Sequence, residues 1–211
     1  VPAQFEFEAS LAPGSGADWW LGPCVDLGNR CKDVLHINHQ PLSFTKGGYL
    51  GFMGGDPTFS YNDVTWDQCK SFEYCLDNNP DINDPALEVW GSGYSQSADG
   101  FEDAFEYLFG EPGFIHPGDP SRTPSTGKYK HLRPRINGLV QFGNPSTRNT
   151  GIARKTRPTW LDSLVYNINY DNDFYAVATD AIRPPMYAII VKSEMELPFF
   201  AHVLRLAARI I

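Results

Sequence analysis

Gly93-Tyr94-Ser95-Gln96-Ser97 is the stretch whose residue types and spacing most directly suggest chemistry. An apolar run, Leu87-Glu88-Val89-Trp90, gives way to small residues, one serine follows, and a helix-like pattern begins after it. A serine hydroxyl is a weak nucleophile until a neighbouring base takes its proton, and a sharp strand–turn–helix junction is one way to present it. The Gly-x-Ser-x-Gly pattern puts small residues two places either side of the serine because that turn is tight. Gly93 and Ser97 hold those places here, so the second glycine is replaced by another small residue. Ser95 is therefore a candidate nucleophile for acyl transfer, on condition that the chain supplies a base, an acid and an oxyanion hole.

Five histidines are available as the base. His36 and His39 precede the serine beside a predicted strand, where a core or rim role fits better. His116 and His131 fall in a long irregular segment, where geometry would be poorly held. His202 follows the last apolar run and opens a predicted terminal helix, at the edge where a sheet-based hydrolase needs its base. The acid holds the imidazole tautomer best from the end of a strand. Asp171 and Asp173 both sit just past Leu164–Tyr170, with Asp180 further out. The order Ser, Asp, His is that of an α/β-hydrolase. An oxyanion hole needs donors aimed at the developing charge. The Gln96 amide is one, and the turn Gly14-Ser15-Gly16, with the Ser15 hydroxyl, is placed to give another.

These groups need a frame. Gln4–Ala9, Val34–Asn38, Leu87–Trp90, Ile136–Phe142 and Leu164–Tyr170 read as strands, by alternation or as short apolar runs. Between them, Cys24–Val34 reads as a helix with Val25, Leu27 and Val34 as its buried positions. Val64, Trp66, Cys69, Phe72, Cys75 and Leu76 recur at helical steps, and Asn78-Asn79-Pro80 ends that run. Phe101, Ala104, Phe105, Leu108 and Phe109 give a third helix an apolar face, with Gly110 as its cap. Tyr187–Val191 reads as a last strand or a buried helical turn, and Phe199–Ile211 as a closing helix. Strands and helices alternating in this way predict an α/β fold, three layers α/β/α around a mostly parallel sheet, in one domain over 1–211. Two irregular stretches interrupt it: a glycine- and aromatic-rich loop at 41–63, and residues 111–134, expected to be either mobile or functional.

Composition narrows the classes. The net charge of −8, from 25 acidic and 17 basic residues, argues against a nucleic-acid partner. The one basic cluster, Lys128–Arg135, is expected to be a solvated loop face. No apolar run is long enough to span a membrane, so a soluble chain is expected. Four cysteines permit two disulfides in any of three pairings, or free thiols in a reducing compartment. The Cys-x4-His-x2-His spacing of Cys31, His36 and His39 matches no common zinc site, and neither metal nor organic cofactor is expected.

The sequence also resembles a known family, the lysin B esterases of mycobacteriophages, which are cutinase-like α/β-hydrolases. Gly93-Tyr94-Ser95-Gln96-Ser97-Ala98 is similar to its Gly-Tyr-Ser-Gln-Gly-Ala, and Pro13-Gly14-Ser15-Gly16 to its Pro-Gly-Thr-Gly turn. Phe142-Gly143-Asn144-Pro145, with Arg148 and Gly151, is similar to its Phe-Gly-Asn-Pro segment, and Asp173-Phe174-Tyr175-Ala176 to the segment carrying its acid. The resemblance implies Ser95 as nucleophile, Asp173 as acid, and Ser15 and Gln96 at the oxyanion hole; His202 is assigned as base by position. It implies a phage-encoded esterase acting from outside on mycolate esters of the host envelope, released at lysis or carried on the virion. Tyr94 and the loop aromatics, Tyr49 and Phe52 among them, would contact substrate, though loop aromatics serve equally as anchors. The interval from Asp173 to His202 is shorter than the family's, which implies a smaller substrate platform. The rival expectation is a virion or envelope-binding protein, with other virion proteins as partners, that keeps the fold with little or no turnover.

Overall fold

Alternating Gln4-Phe5-Glu6-Phe7-Glu8 forms the first strand, β1 (Gln4–Glu8). The computed structural model describes residues 4–8, 23–35, 37–41, 61–147, 151, 155–171, 173, 176, 178, 179, 181, 182 and 184, with backbone only at 4–8, 23, 25, 32–35 and 37–41. After β1 come α1 (Pro23–Leu35), β2 (Ile37–Pro41), α2 (Tyr61–Asp77), β3 (Glu88–Tyr94), α3 (Gln96–Phe109), β4 (Ile136–Phe142), a short α4 (Thr159–Asp162) and β5 (Val165–Ile168). All described strand pairs are parallel, in the order β2-β1-β3-β4-β5. The chain steps one way from β1 to β2, then crosses back and proceeds the other way through β3, β4 and β5. Right-handed crossovers taken in opposite directions put α1 on one face and α2 and α3 on the other, giving three layers. The order reverses between β1 and β3, and open α/β sheets bind ligands at the carboxyl ends of strands beside such a reversal. Ser95 is the residue that follows β3.

The core lies between the sheet and the α2–α3 pair. Phe101, Ala104, Phe105, Leu108 and Phe109 are all buried, as their helical spacing predicts. Phe72 of α2 meets the rings of Phe101, Phe105 and Phe109 at 5.6–5.7 Å between centroids. Each such ring contributes about 1.5–3 kcal/mol on burial. On α2 the predicted Val64, Cys69, Phe72 and Leu76 are buried, while Trp66 and Cys75 are half-buried. Gly110 ends α3 as predicted, donating its N–H to Glu106 O (3.1 Å), with extended rather than left-handed backbone. Among the described residues no helix is long and apolar enough to cross a membrane.

Several expectations are corrected. On α1 the buried side is Cys24 and Gly28, and Leu27 is only half-buried; Val25 and Val34 lie outside the described side chains. The helix runs on through Leu35, so the second strand is Ile37–Pro41 rather than Val34–Asn38. β5 is four residues long and its Tyr166 and Ile168 are exposed. None of the four cysteines is in a disulfide, which is one of the two states the sequence left open. Tyr187–Val191 and Phe199–Ile211 lie outside the described residues.

Residues 111–134 are knitted together by local bonds. Gly113 N–H donates to Ser125 O (2.9 Å) and Ser125 N–H to Phe114 O (2.7 Å). The Asp119 carboxylate accepts from the Ser121 hydroxyl (2.6 Å) and from the Ser121 and Thr123 amides (2.9 and 2.8 Å), bonds that hold it below the usual carboxylate range. The basic cluster is largely spent on partners: Lys128 on Asp77 (2.6 Å), Lys130 on Glu111 (2.5 Å), and Arg133 on Glu111 (3.2 Å) and the Trp160 ring (4.6 Å).

His116, expected to be loosely held, is fully buried beside Trp66, with ring centroids 5.0 Å apart. Its Nδ1 accepts the Gly118 N–H (3.1 Å). Burial first, and Lys155 second, push its pKa down from 6.5 to about 3. The folded state therefore keeps this ring neutral where the unfolded chain would protonate it, and stability must fall as pH drops from 6.5 towards about 3. Unfolding free energies measured across that window should fall more steeply for the wild type than for His116→Asn, which retains an acceptor for Gly118. The difference in slope should approach about 1 kcal/mol per pH unit; parallel curves would refute the assignment.

Candidate active site

Ser95 sits at φ 55°, ψ −123°, between the last residue of β3 and the first of α3. Only Arg122 shares a positive φ among the described non-glycine residues. Such backbone costs an L-residue about 1–3 kcal/mol and persists where its surroundings over-determine it. Here they do. The Ser95 N–H is held by Phe142 O at the end of β4 (2.8 Å), and the Ser95 carbonyl accepts the Ala98 N–H (3.0 Å) as α3 begins. The first turn of α3 folds back so closely that a Cβ on Gly93 would lie 2.8 Å from the backbone N and Cα of Ala98. Ser95 remains half-buried at the tip.

Gln96 opens α3, so its main-chain N–H is one of the first-turn amides that a helix does not use internally. Its side chain reaches sideways and donates to Tyr61 O (3.2 Å), while Tyr61 Oη donates to Asp99 Oδ2 (2.9 Å). The elbow helix thereby grips the first residue of α2. Ser97 is fully buried, and its hydroxyl finds no hydrogen-bond partner among the described residues; its carbonyl accepts from Gln68 Nε2 (3.0 Å).

Across the end of β4 lies the Asp173 carboxylate. A Cβ on Gly143 would stand 3.1 Å from Asp173 Oδ2 and 3.2 Å from Tyr94 Cε2, so carboxylate and ring flank that glycine. Gly143 itself has φ 56°, in the left-handed region. Asp173 Oδ1 accepts the Ala176 N–H (3.2 Å), and the Asp173 N–H donates to Tyr170 O (3.0 Å). Asp171 is an exposed turn residue, whereas Asp173 is half-buried.

Behind the elbow, α3 buries three carboxylates: Asp99, Glu102 and Asp103. Lys155 answers Asp99 (2.7 Å) and Asp103 (2.5 Å), and Arg157 grips both oxygens of Glu102 (2.6 and 2.7 Å). Burial lifts the Asp99 and Glu102 carboxyls above the usual range, with Lys155 and Arg157 opposing it. Burial alone would depress Lys155, but Asp103 and Asp99 outweigh it and hold the ammonium above its ordinary range.

The structure thus brings Ser95, Gln96, Tyr94 and Asp173 together at one end of the sheet. Ser15, Tyr49, Phe52 and His202 lie outside the described residues, as do His36 and Asp180. The sequence reading gave no role to Phe142 O, Gly143 or Asn144, although the Phe-Gly-Asn-Pro segment marked the place. It also passed over Lys155 and Arg157, which carry no local pattern.

The architecture is a cutinase-like α/β fold, with Ser95 following β3 and Asp173 following β5. Several solved structures are similar to it. Lysin B from Mycobacteriophage D29 matches with a TM-score of 0.51 at 19% identity, over 86% of this chain and 69% of that one. The catalytic core domain of acetyl xylan esterase from Trichoderma reesei matches with a TM-score of 0.54 at 16% identity, over 89% and 91%. No family model and no curated protein matches the sequence.

Two substitutions test the elbow's packing. Ser97→Ala removes a buried hydroxyl without a partner among the described residues and should raise the unfolding free energy by about 1 kcal/mol. Gly93→Ala forces a methyl onto the Ala98 backbone and should lower it by about 2–3 kcal/mol. Urea titration reads both, and a destabilised Ser97→Ala or a neutral Gly93→Ala would contradict this geometry.

Proposed function

We propose that the protein is a serine carboxylic ester hydrolase acting on mycolate-type lipid esters of an actinobacterial envelope. The observation that carries the reading is Ser95 at a positive φ between β3 and α3, with the Asp173 carboxylate across Gly143. Strain of this kind at an element junction is a mark of functional sites, and this junction lies beside the reversal in strand order. In the reaction, Ser95 Oγ attacks the ester carbonyl as the His202 imidazole takes its proton. The Gln96 amide and the Ser15 turn bear the oxyanion, and Asp173 orients the base. Collapse expels the alcohol, which takes the proton from His202, and water then hydrolyses the acyl-enzyme.

Support for an ester substrate comes from the structural neighbours, one an acetyl xylan esterase by name and one a phage lysin B, the family whose motifs this sequence resembles. The lysin-like motifs support a lipid ester over an acetylated polysaccharide, and they support an enzyme delivered by a phage that acts on the host cell from outside. A p-nitrophenyl ester series separates these substrates. The wild type should cleave medium and long acyl esters faster than acetate, and Ser95→Ala should lose activity by on the order of a thousandfold or more. Equal rates for wild type and Ser95→Ala would eliminate the mechanism; a sharp preference for acetate would eliminate the lipid substrate.

A further inference from the structure

The segment Phe142-Gly143-Asn144 touches both halves of the candidate machinery. Phe142 O holds the Ser95 N–H (2.8 Å), and Gly143 carries the Asp173 carboxylate against its α-carbon. Asn144 is fully buried, and its main-chain N–H and both polar atoms of its side chain are hydrogen-bonded. Its N–H donates to Asn169 Oδ1 (3.1 Å), and its Oδ1 accepts the Ser146 N–H (2.8 Å). Its Nδ2 faces Glu102 Oε1 (2.7 Å), Asn167 Oδ1 (3.2 Å) and Gln141 Oε1. Glu102 is fixed in turn by Nε and Nη2 of Arg157, and Nη2 also donates to Ser146 O (3.0 Å). Asn144 therefore joins the elbow helix, the end of β4 and β5 through its side chain, and the chain beyond β5 that leads to Asp173 through its main-chain N–H.

We infer that Asn144, clamped by Glu102 and Arg157, is a positioning residue that sets the separation between Ser95 and the Asp173 carboxylate. A neutral amide suits the post. It donates to Glu102 without adding charge to a buried site, while an aspartate would set a second carboxylate against Glu102. The segment has little slack: φ at Gly143 is 56°, and the Gly143 N–H is fixed to Ile168 O (3.1 Å). A shift of Asn144 must therefore move Gly143, and with it the surface on which the carboxylate rests.

The inference rests on the esterase reading for its kinetic consequence, and two measurements keep the two apart. Asn144→Ala should lower kcat on a p-nitrophenyl ester by about tenfold to a hundredfold, the scale set by small misplacements of catalytic groups, with KM little changed. In an Asp173→Ala background the same substitution should cost little more, because a residue acting through Asp173 has nothing left to position. Losses that simply multiply, or a single variant with wild-type kcat, would overturn the inference. A crystal structure of Asn144→Ala should show the Asp173 carboxylate displaced from Gly143, and an unmoved carboxylate would overturn it whatever the kinetics. Gly143→Ala, which leaves the Asn144 clamp in place, should displace the carboxylate directly and reproduce the kcat loss if Asn144→Ala is too unstable to isolate. A wild type inert on every ester, with a displaced carboxylate in the variant, would refute the esterase reading and leave the positioning role standing.

Discussion

The backbone of Ser95 is bent into a conformation that an L-residue resists, and the surrounding structure is arranged to hold it there. The Phe142 carbonyl takes its N–H from one side, and the first turn of α3 takes its carbonyl from the other. Gly93 lets that turn close over the strand end, where even a methyl group would collide with Ala98. A strain of about 1–3 kcal/mol is small beside the burial of the Phe72, Phe101, Phe105 and Phe109 cluster that presses α2 and α3 together against the sheet. The core therefore supplies the force, and the elbow is where that force is used.

α3 has two jobs and two buried faces. One is apolar and packs against the sheet and α2. The other carries Asp99, Glu102 and Asp103, which burial would leave unstable as charges without Lys155 and Arg157. Both cations come from one short segment after β4, so the same ion pairs that satisfy the helix also fasten the chain between β4 and β5. The helix that presents Ser95 and the loops that present Asp173 are thus joined by buried, directional bonds, which tolerate less displacement than apolar contact does.

Much of this was legible in the residues. Helical spacing identified Phe101, Ala104, Phe105, Leu108 and Phe109 on the apolar face of α3, and the run Ile136–Phe142 matched β4 end to end. The elbow was legible because its steric demand leaves a mark two residues either side of the serine. Other features left no such mark. On α1 the half-burial of Leu27 beside buried Cys24 and Gly28 could not be read from hydropathy, which ranks leucine above glycine. The order of 111–134 comes from side-chain bonds such as those to Asp119, and these have no period. The Asn144–Glu102–Arg157 clamp joins three distant parts of the chain, so no single window of sequence contains it.

The central claim is that Ser95 is an activated nucleophile and not merely a strained turn residue. Covalent labelling with a fluorophosphonate probe, followed by peptide mass mapping, tests it without knowledge of the substrate. The expected result is a single phosphonyl adduct on Ser95, absent when the protein is unfolded before exposure to the probe. No adduct on the folded protein, or an adduct on a different serine, would contradict it.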